Sequence, residues 1–402
     1  MGLYVRIGCL PKMRQNQRYI HLFFLNSAII EFLFFSGEKH ITDIFFNGGI
    51  APLFFLITCS LCFFTNSNRG RIKKEDHYKM LFISLWTILC TYILGKGNHN
   101  SLWISYVFYA LGMMLLVSST DFYFLKEKLL KYLSLLTFIS IIVQLGHDYF
   151  GLFPAKPYIT EKTVRYLSLG IFNTEWGENR LSSIYWEPGQ YQIIIYYVLV
   201  LFADEWCNLS NLKRNLKKFG LLLVGLIMTT STTAYLVLML AILVIFISNM
   251  KRKNIVVVLL LICLGVTSIY FLTISPAVQE KVEQKDSDQE NSSYAIRMAD
   301  NMACLEVTMD SPITGYGPGS DILGKKLYAA GSLTNSNGWL YSAAQLGIPY
   351  VLLLWLFMWR NLRRHYKANT LLLLFMLIIS QSNEAFITFP YLYLYIFNGR
   401  NY

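Results

Sequence analysis

The chain has 402 residues, of which 54% are hydrophobic, 16% aromatic and only 15% charged. Apolar residues come in runs of about 17–22, the length that crosses a bilayer as a helix, which excludes a water-soluble protein and predicts an all-α polytopic membrane protein. The net charge of +11 does not signal nucleic acid, because the basic residues cluster in short loops between apolar runs, as the positive-inside rule describes.

In chain order, the basic segment Lys12–Arg18 precedes the first apolar run with no small-residue cleavage site after it, so a retained anchor with a cytoplasmic N-terminus is expected. Twelve spans follow, near 19–36, 44–64, 79–95, 102–118, 132–148, 190–206, 219–231, 233–249, 255–274, 337–358, 371–383 and 386–398. Alternating the connections puts Arg69/Arg71/Lys73/Lys74, Lys126/Lys128/Lys131, Lys213/Arg214/Lys217/Lys218, Lys251/Arg252/Lys253 and Arg360/Arg363/Arg364/Lys367 on one side with both termini. Residues 1–402 therefore read as one transmembrane domain with two large extracytoplasmic loops, 149–189 and 275–336.

Cysteines 59, 62, 90 and 263 lie in spans, Cys9 and Cys207 flank them, and Cys304 alone lies in a large loop, so no disulfide framework is expected. The loops hold no cluster with metal-ligand spacing, and no metal or cofactor is expected. Few ionisable groups lie within the spans, which argues against an ion-coupled transporter. Glu31 is the one acid well inside a run, where snorkelling or pairing competes with a functional role; Glu384, between the last two spans, falls near the outer face and can support a site there.

The first loop ends in Asn179-Arg180-Leu181-Ser182-Ser183-Ile184-Tyr185-Trp186-Glu187-Pro188-Gly189-Gln190 and runs straight into apolar sequence. Pro188 suits the first turn of a helix, which leaves Glu187 at its mouth, either as a chemical group or simply as a cap. The second loop starts acidic (Glu280, Glu283, Asp286, Asp288, Glu290) and then shows helical spacing of apolar residues over 295–307, an amphipathic surface helix carrying Arg297. Next comes turn chemistry, Ser311-Pro312-Ile313-Thr314-Gly315-Tyr316-Gly317-Pro318-Gly319, which lacks the strand before it and the lysine after it that a nucleotide loop needs. Arg165, Arg180 and Arg297 carry planar, permanent charges suited to phosphate or diphosphate, against the plainer reading of solvated loop charges. His147, at a span end, is the nearest candidate base, although a structural role is commoner there.

These residues resemble a known family. Arg180…Trp186-Glu187-Pro188-Gly189 is similar to the R-x-S-x-x-x-x-E-P-G entry of Wzy-type O-antigen and capsule polymerases, in the superfamily that also holds O-antigen ligases. Thr229-Thr230-Ser231-Thr232-Thr233-Ala234-Tyr235 resembles its Ser/Thr-rich step. Arg297 with Pro312…Gly315-Tyr316-Gly317 resembles its arginine helix and P-x-x-G-x-G turn, and Asn337-Gly338-Trp339-Leu340 with Gly347-Ile348 its H-N-x-x-L…G-I. Where the ligase-like pattern has histidine this chain has Ser336, which favours polymerase over ligase.

The resemblance implies a GT-C-like membrane glycosyltransferase that joins oligosaccharide repeat units carried on undecaprenyl diphosphate, at the outer face of the bacterial inner membrane and without a metal. It implies Glu187 as base or sugar ligand, Arg180 and Arg297 on the diphosphate, and Arg165, Asn337 and Glu384 in substrate binding. A chain-length regulator and the flippase of the same pathway are the implied partners. An O-antigen ligase and, less well matched by the long loops, a lipid-linked oligosaccharide flippase stay open as alternatives.

Overall fold

The computed structural model of the chain describes residues 15–36, 50–66, 72–94, 102–154, 156–159, 164–173, 180–185, 187–207, 214–250, 293–331, 337–366, 369–382 and 389–397. The expected span 255–274, Glu384, Trp186 and Ser336 lie outside these residues. Helices dominate: α1 Gln15–Phe35, α2 Ala51–Thr65, α3 Lys74–Ile88 with a π-turn Leu89–Ile93, α4 Leu102–Ser119, α5 Phe122–Phe150, α6 Pro188–Val200, α7 Ala203–Trp206, α8 Leu216–Met228 and α9 Thr232–Met250. They continue as α10 Ser293–Asp310, α11 Asp321–Ala329, α12 Gly338–Leu346, α13 Ile348–His365, α14 Thr370–Gln381 and α15 Pro390–Tyr393. Among the described residues, Asn16–Phe35, Leu102–Ser119 and Phe122–Phe150 are long and apolar enough to cross a membrane, and Ala51–Thr65, Thr232–Ser248 and Thr370–Gln381 are shorter apolar helices. The protein is a helical membrane protein.

Helix α6 sits in the middle. Every residue from Gln190 to Val198 is buried, as expected of a helix that is apolar all round, and it packs on α5, α8, α9 and α14. Its polar side chains reach those neighbours: the Tyr191 hydroxyl donates to Thr137 Oγ1 at 2.6 Å and Gln192 Nε2 to the Ser380 carbonyl at 2.9 Å. Tyr196 donates to the Ala234 carbonyl and Tyr197 to Gln381 Oε1. Glu187 and Pro188 therefore stand at the mouth of the helix that holds the bundle together.

The structure corrects the expected elements in three places. First, the loop 149–189, for which no strands were expected, carries a small antiparallel sheet of β1 Lys156–Ile159, β2 Val164–Ser168 and β3 Ile171–Asn173, an addition to an otherwise helical protein. Leu169 (φ 49) and Gly170 (φ 84) form the two-residue turn between β2 and β3; positive φ at both positions suits the twist of a tight hairpin.

Second, the expected span 337–358 is two helices, α12 and α13, broken at Gly347 (φ 83, ψ 162) with a proline opening α13. The glycine turn causes the break. Tyr316 N–H donates to the Ala344 carbonyl at 3.0 Å, Gly317 N–H to the Gln345 carbonyl at 2.9 Å, and Ile348 N–H to the Pro312 carbonyl at 2.8 Å. A Cβ on Gly347 would stand 1.9 Å from the Ile313 carbonyl oxygen, and one on Gly315 would stand 2.4 Å from the Gln345 carbonyl carbon. Turn and break thus form one backbone clamp, and behind it α10, α11 and α12 share a small core of Cys304, Val307, Tyr316, Leu323, Leu327 and Ala344.

Third, the expected final span 386–398 is one helical turn, Pro390–Tyr393, followed by turns through residue 396, yet residues 390–397 are all buried. Irregular backbone is tolerated inside such a protein only when its polar groups find partners. Lys79 Nζ donates to the Ile396 carbonyl at 2.6 Å, and Asn361 Nδ2 to the carbonyls of Tyr395 and Phe397 at 3.0 and 2.9 Å. Lys79 is itself paired with buried Asp76 at 3.1 Å. An apolar run cannot distinguish this threaded segment from a helix.

Two stability predictions follow from these contacts. Gly347→Ala sets a Cβ into backbone at positive φ and lowers stability by at least about 2 kcal/mol, whereas Gly220→Ala, in open space on α8, is neutral or raises it by up to about 1 kcal/mol; melting temperatures in one detergent compare them. Lys79→Ala removes the ion pair of buried Asp76 and the side-chain donor of the Ile396 carbonyl, a loss of about 3–5 kcal/mol, and the double variant Asp76→Asn with Lys79→Met recovers part of the melting temperature.

Candidate functional site

The residues after the sheet form a strap, 180–185, laid against the ends of α8 and α1 and the body of α5. Leu181 N–H donates to the Met228 carbonyl at 2.9 Å and Arg180 Nε to the Thr229 carbonyl at 3.1 Å. The Tyr235 hydroxyl takes the Ile227 carbonyl at 3.2 Å. Three of the last carbonyls of the α8 end, which a helix leaves unpaired, are thereby satisfied, one of them by a cation at the negative end of the helix dipole. Arg180 thus anchors the entry stretch to the Ser/Thr-rich step that follows α8, bringing together two motifs about fifty residues apart. On the other side, the Tyr185 hydroxyl donates to the Leu33 carbonyl of α1 at 3.0 Å, and the Tyr185 ring stacks on Tyr191.

The strap faces a polar stripe along α5. Ser134, Thr137, Ser140 and Gln144 recur every three or four residues on one buried face, and the Ser140 and Ser183 hydroxyls meet at 2.7 Å. Ser183 (φ 58) and Thr230 (φ 45) both hold the left-handed backbone region that L-residues with a Cβ adopt only at a cost of about 1–2 kcal/mol. Two strained residues thus sit on segments bonded to each other, and such strain clusters at functional sites. Sequence reading missed Ser183, Thr230 and the stripe; the three-and-four spacing of polar residues within an otherwise apolar run was the signal for the stripe.

Glu187 is the N-cap residue of α6 in extended backbone (φ −132, ψ 149), and its side chain makes no capping hydrogen bond. Its carbonyl starts the helix by accepting from Gln190 and Tyr191 N–H. The cap is therefore made by backbone and Pro188, leaving the half-buried carboxylate to other partners. Arg165 lies in β2, its backbone opposite Tyr158.

Arg297 and Asn337 belong to the unit behind the clamp, where α10 packs on α12. Half-buried Arg297 makes no hydrogen bond or ion pair with any of the described residues, so its guanidinium is available to an anion. Asn337 caps α12, its Oδ1 accepting from Trp339 and Leu340 N–H at 3.1 Å each, which occupies that oxygen in structure. Cys304, on the inner face of α10, is no nucleophile: burial, with the Asp300 carboxylate nearby, pushes its thiol up to about 12.

Among the other candidates, His147 Nδ1 pairs with the Phe153 carbonyl at 3.2 Å, a helix-end structural role. The buried part of Glu31 accepts from Thr58 Oγ1 at 2.8 Å, so it pairs across α1 and α2 rather than snorkelling free. Among the described residues no group of three or more His, Cys, Asp or Glu is placed to hold a metal ion. The arrangement offers one anchored arginine and one unpaired arginine, a carboxylate at a helix mouth, and neutral hydroxyl and amide groups: anion binding together with hydroxyl recognition.

Because a hydrogen bond to a charged group contributes about 1.5–3 kcal/mol, Arg180→Ala is expected to lower stability by that order, and Arg297→Ala to leave it within about 0.5 kcal/mol. Thermal unfolding of the two purified variants checks the difference.

No curated protein matches the chain. A family model described as O-antigen ligase matches residues 219–356, from α8 to the middle of α13, which takes in the Ser/Thr step, α10 with Arg297, the clamp and α12, and does not include Arg180 and Glu187. Residues 219–356 are thus similar to the O-antigen ligase family, which is consistent with the O-antigen ligase/polymerase superfamily that the motifs of the chain resemble.

Proposed function

We propose that the protein polymerises oligosaccharide repeat units carried on undecaprenyl diphosphate into O-antigen, capsule or exopolysaccharide, at the outer face of the bacterial inner membrane. In this reading both termini lie in the cytoplasm and the two long loops, with the site, lie on the opposite side. The observation that carries this reading is Arg297: a half-buried guanidinium without a counter-ion among the described residues, on an amphipathic helix inside the region that is similar to the O-antigen ligase family. A lipid diphosphate supplies the missing charge, and a planar guanidinium binds it with two parallel hydrogen bonds.

In the reaction, a hydroxyl oxygen of the acceptor unit attacks the anomeric carbon of the donor. The bond from that carbon to the diphosphate oxygen breaks, and its electron pair leaves with the lipid diphosphate. Glu187 takes the proton from the attacking hydroxyl as general base. Arg180 and Arg297 match the charge that grows on the leaving group, so a metal-independent transfer suffices. Arg165, Asn337 and Glu384 assist in substrate binding.

The ligase reading has one observation in its favour, the description of the matched family. Ser336, where the ligase-like pattern has histidine, weighs for the polymerase.

Glu187→Gln and Arg297→Ala, at equal membrane levels, are each expected to cut polymerisation about 10²–10⁴-fold, leaving a single repeat unit on a glycan gel where the parent strain gives a ladder. A full ladder from both removes these residues from the mechanism. Transfer by the purified protein only to lipid A core, with no elongation, replaces polymerase by ligase.

A further inference from the structure

Several buried oxygens near the strap have no partner. Ser182 Oγ, Thr230 Oγ1 and Gln144 Oε1 are each buried without a hydrogen bond, and Ser182 and Gln144 are 0% and 1% exposed as residues. The bonds already described bring them together: Leu181 to Met228 joins the strap next to Ser182 to the turn that carries Thr230, and Ser183 to Ser140 joins it to α5 one turn from Gln144. Half-exposed Arg180, Thr230 and Asp148 form the edge of the cluster, with Ser182 and Gln144 behind. Gln144 Nε2 donates to Asp148 Oδ2 at 2.6 Å, which turns its carbonyl oxygen away from that partner.

An unpaired buried polar atom costs more than the bond it forgoes, and three of them on segments joined by these bonds invite a common explanation. The set is neutral, with two hydroxyls that donate or accept and an amide oxygen that accepts. That chemistry matches the hydroxyls of a sugar ring, each of which both donates and accepts. A phosphate, which only accepts at full charge, finds its donor at the edge in Arg180 instead.

We propose that Ser182, Thr230 and Gln144 form a saccharide subsite, which takes the hydroxyls of the sugar nearest the lipid diphosphate while Arg180 faces the phosphates. The strained residues Ser183 and Thr230 stand where the strap must yield for the ring to enter. This subsite rests on the lipid-diphosphate reading of Arg180 and names what lies beside it.

The test uses the full-length protein in nanodiscs and two probes, the lipid-linked repeat unit extracted from a polymerase-deletion strain and bare undecaprenyl diphosphate, with binding read by native mass spectrometry. Ser182→Ala, Thr230→Val and Gln144→Leu are each expected to bind the sugar-bearing lipid about tenfold more weakly and the bare lipid as the parent does. Ser182→Ala and Thr230→Val remove atoms that hold no bond, so their melting temperatures stay at or above the parent's, which a purely structural role does not combine with lost sugar affinity. Unchanged affinity of all three variants for the sugar-bearing lipid overturns the subsite and leaves the lipid-diphosphate reading standing. A parent protein that binds neither probe overturns both.

Discussion

Within a bilayer there is no water to complete a hydrogen bond, so every buried polar atom must be answered by another part of the protein. That constraint falls hardest on α6, which is covered on all sides. Its tyrosines and Gln192 bond to α5, α9 and α14, each through a hydroxyl or amide that would otherwise be stranded. The helices around α6 are therefore fixed in register as well as in direction, and Glu187 at its first turn inherits that fixity. A carboxylate on a free loop would have many orientations; here the backbone that carries it is set by the core.

The two arginines are used differently. Arg180 uses its Nε on a helix-end carbonyl and so ties the entry stretch to the start of the region that is similar to the O-antigen ligase family. Arg297 carries no such duty among the described residues and rides on a helix anchored through Cys304 and Val307. One arginine is tied into the fold, and the other is bound to none of the described residues.

The helical membrane class was legible because length and apolarity suffice to specify a spanning helix. The charged candidates could be named from sequence because a permanent charge beside an apolar run stands out, but their roles rest on the resemblance alone. The hairpin 164–173 was missed because a short alternating segment in a polar loop, Val164-Arg165-Tyr166-Leu167-Ser168, reads weakly beside long apolar runs. The break at Gly347 was missed because the run on both sides is apolar; what bends it is a partner some thirty residues earlier in the chain. The buried turns 394–396 were missed for the same reason in reverse, since apolarity shows burial and not backbone shape. Lys79 and Asn361, polar residues out of place in their runs, were the visible sign that carbonyls needed donors there. Ser182 and Thr230 carry no charge, and nothing in their local sequence shows that their hydroxyls end up buried on segments bonded to each other.

The clamp between residues 312–317 and 344–348 is made wholly of main-chain hydrogen bonds. Main-chain bonds are indifferent to the side chains they carry, so Tyr316, Ala344 and Gln345 can each be exchanged for residues of similar size with the pairing intact. They are not indifferent to spacing. One residue inserted or deleted in either segment shifts every donor past its acceptor and brings a side chain to the places that Gly315 and Gly347 keep empty. Chain length, more than composition, is the quantity this part of the molecule holds constant, and a library that varied it would find that stretch far less permissive than the loop sequence around it suggests.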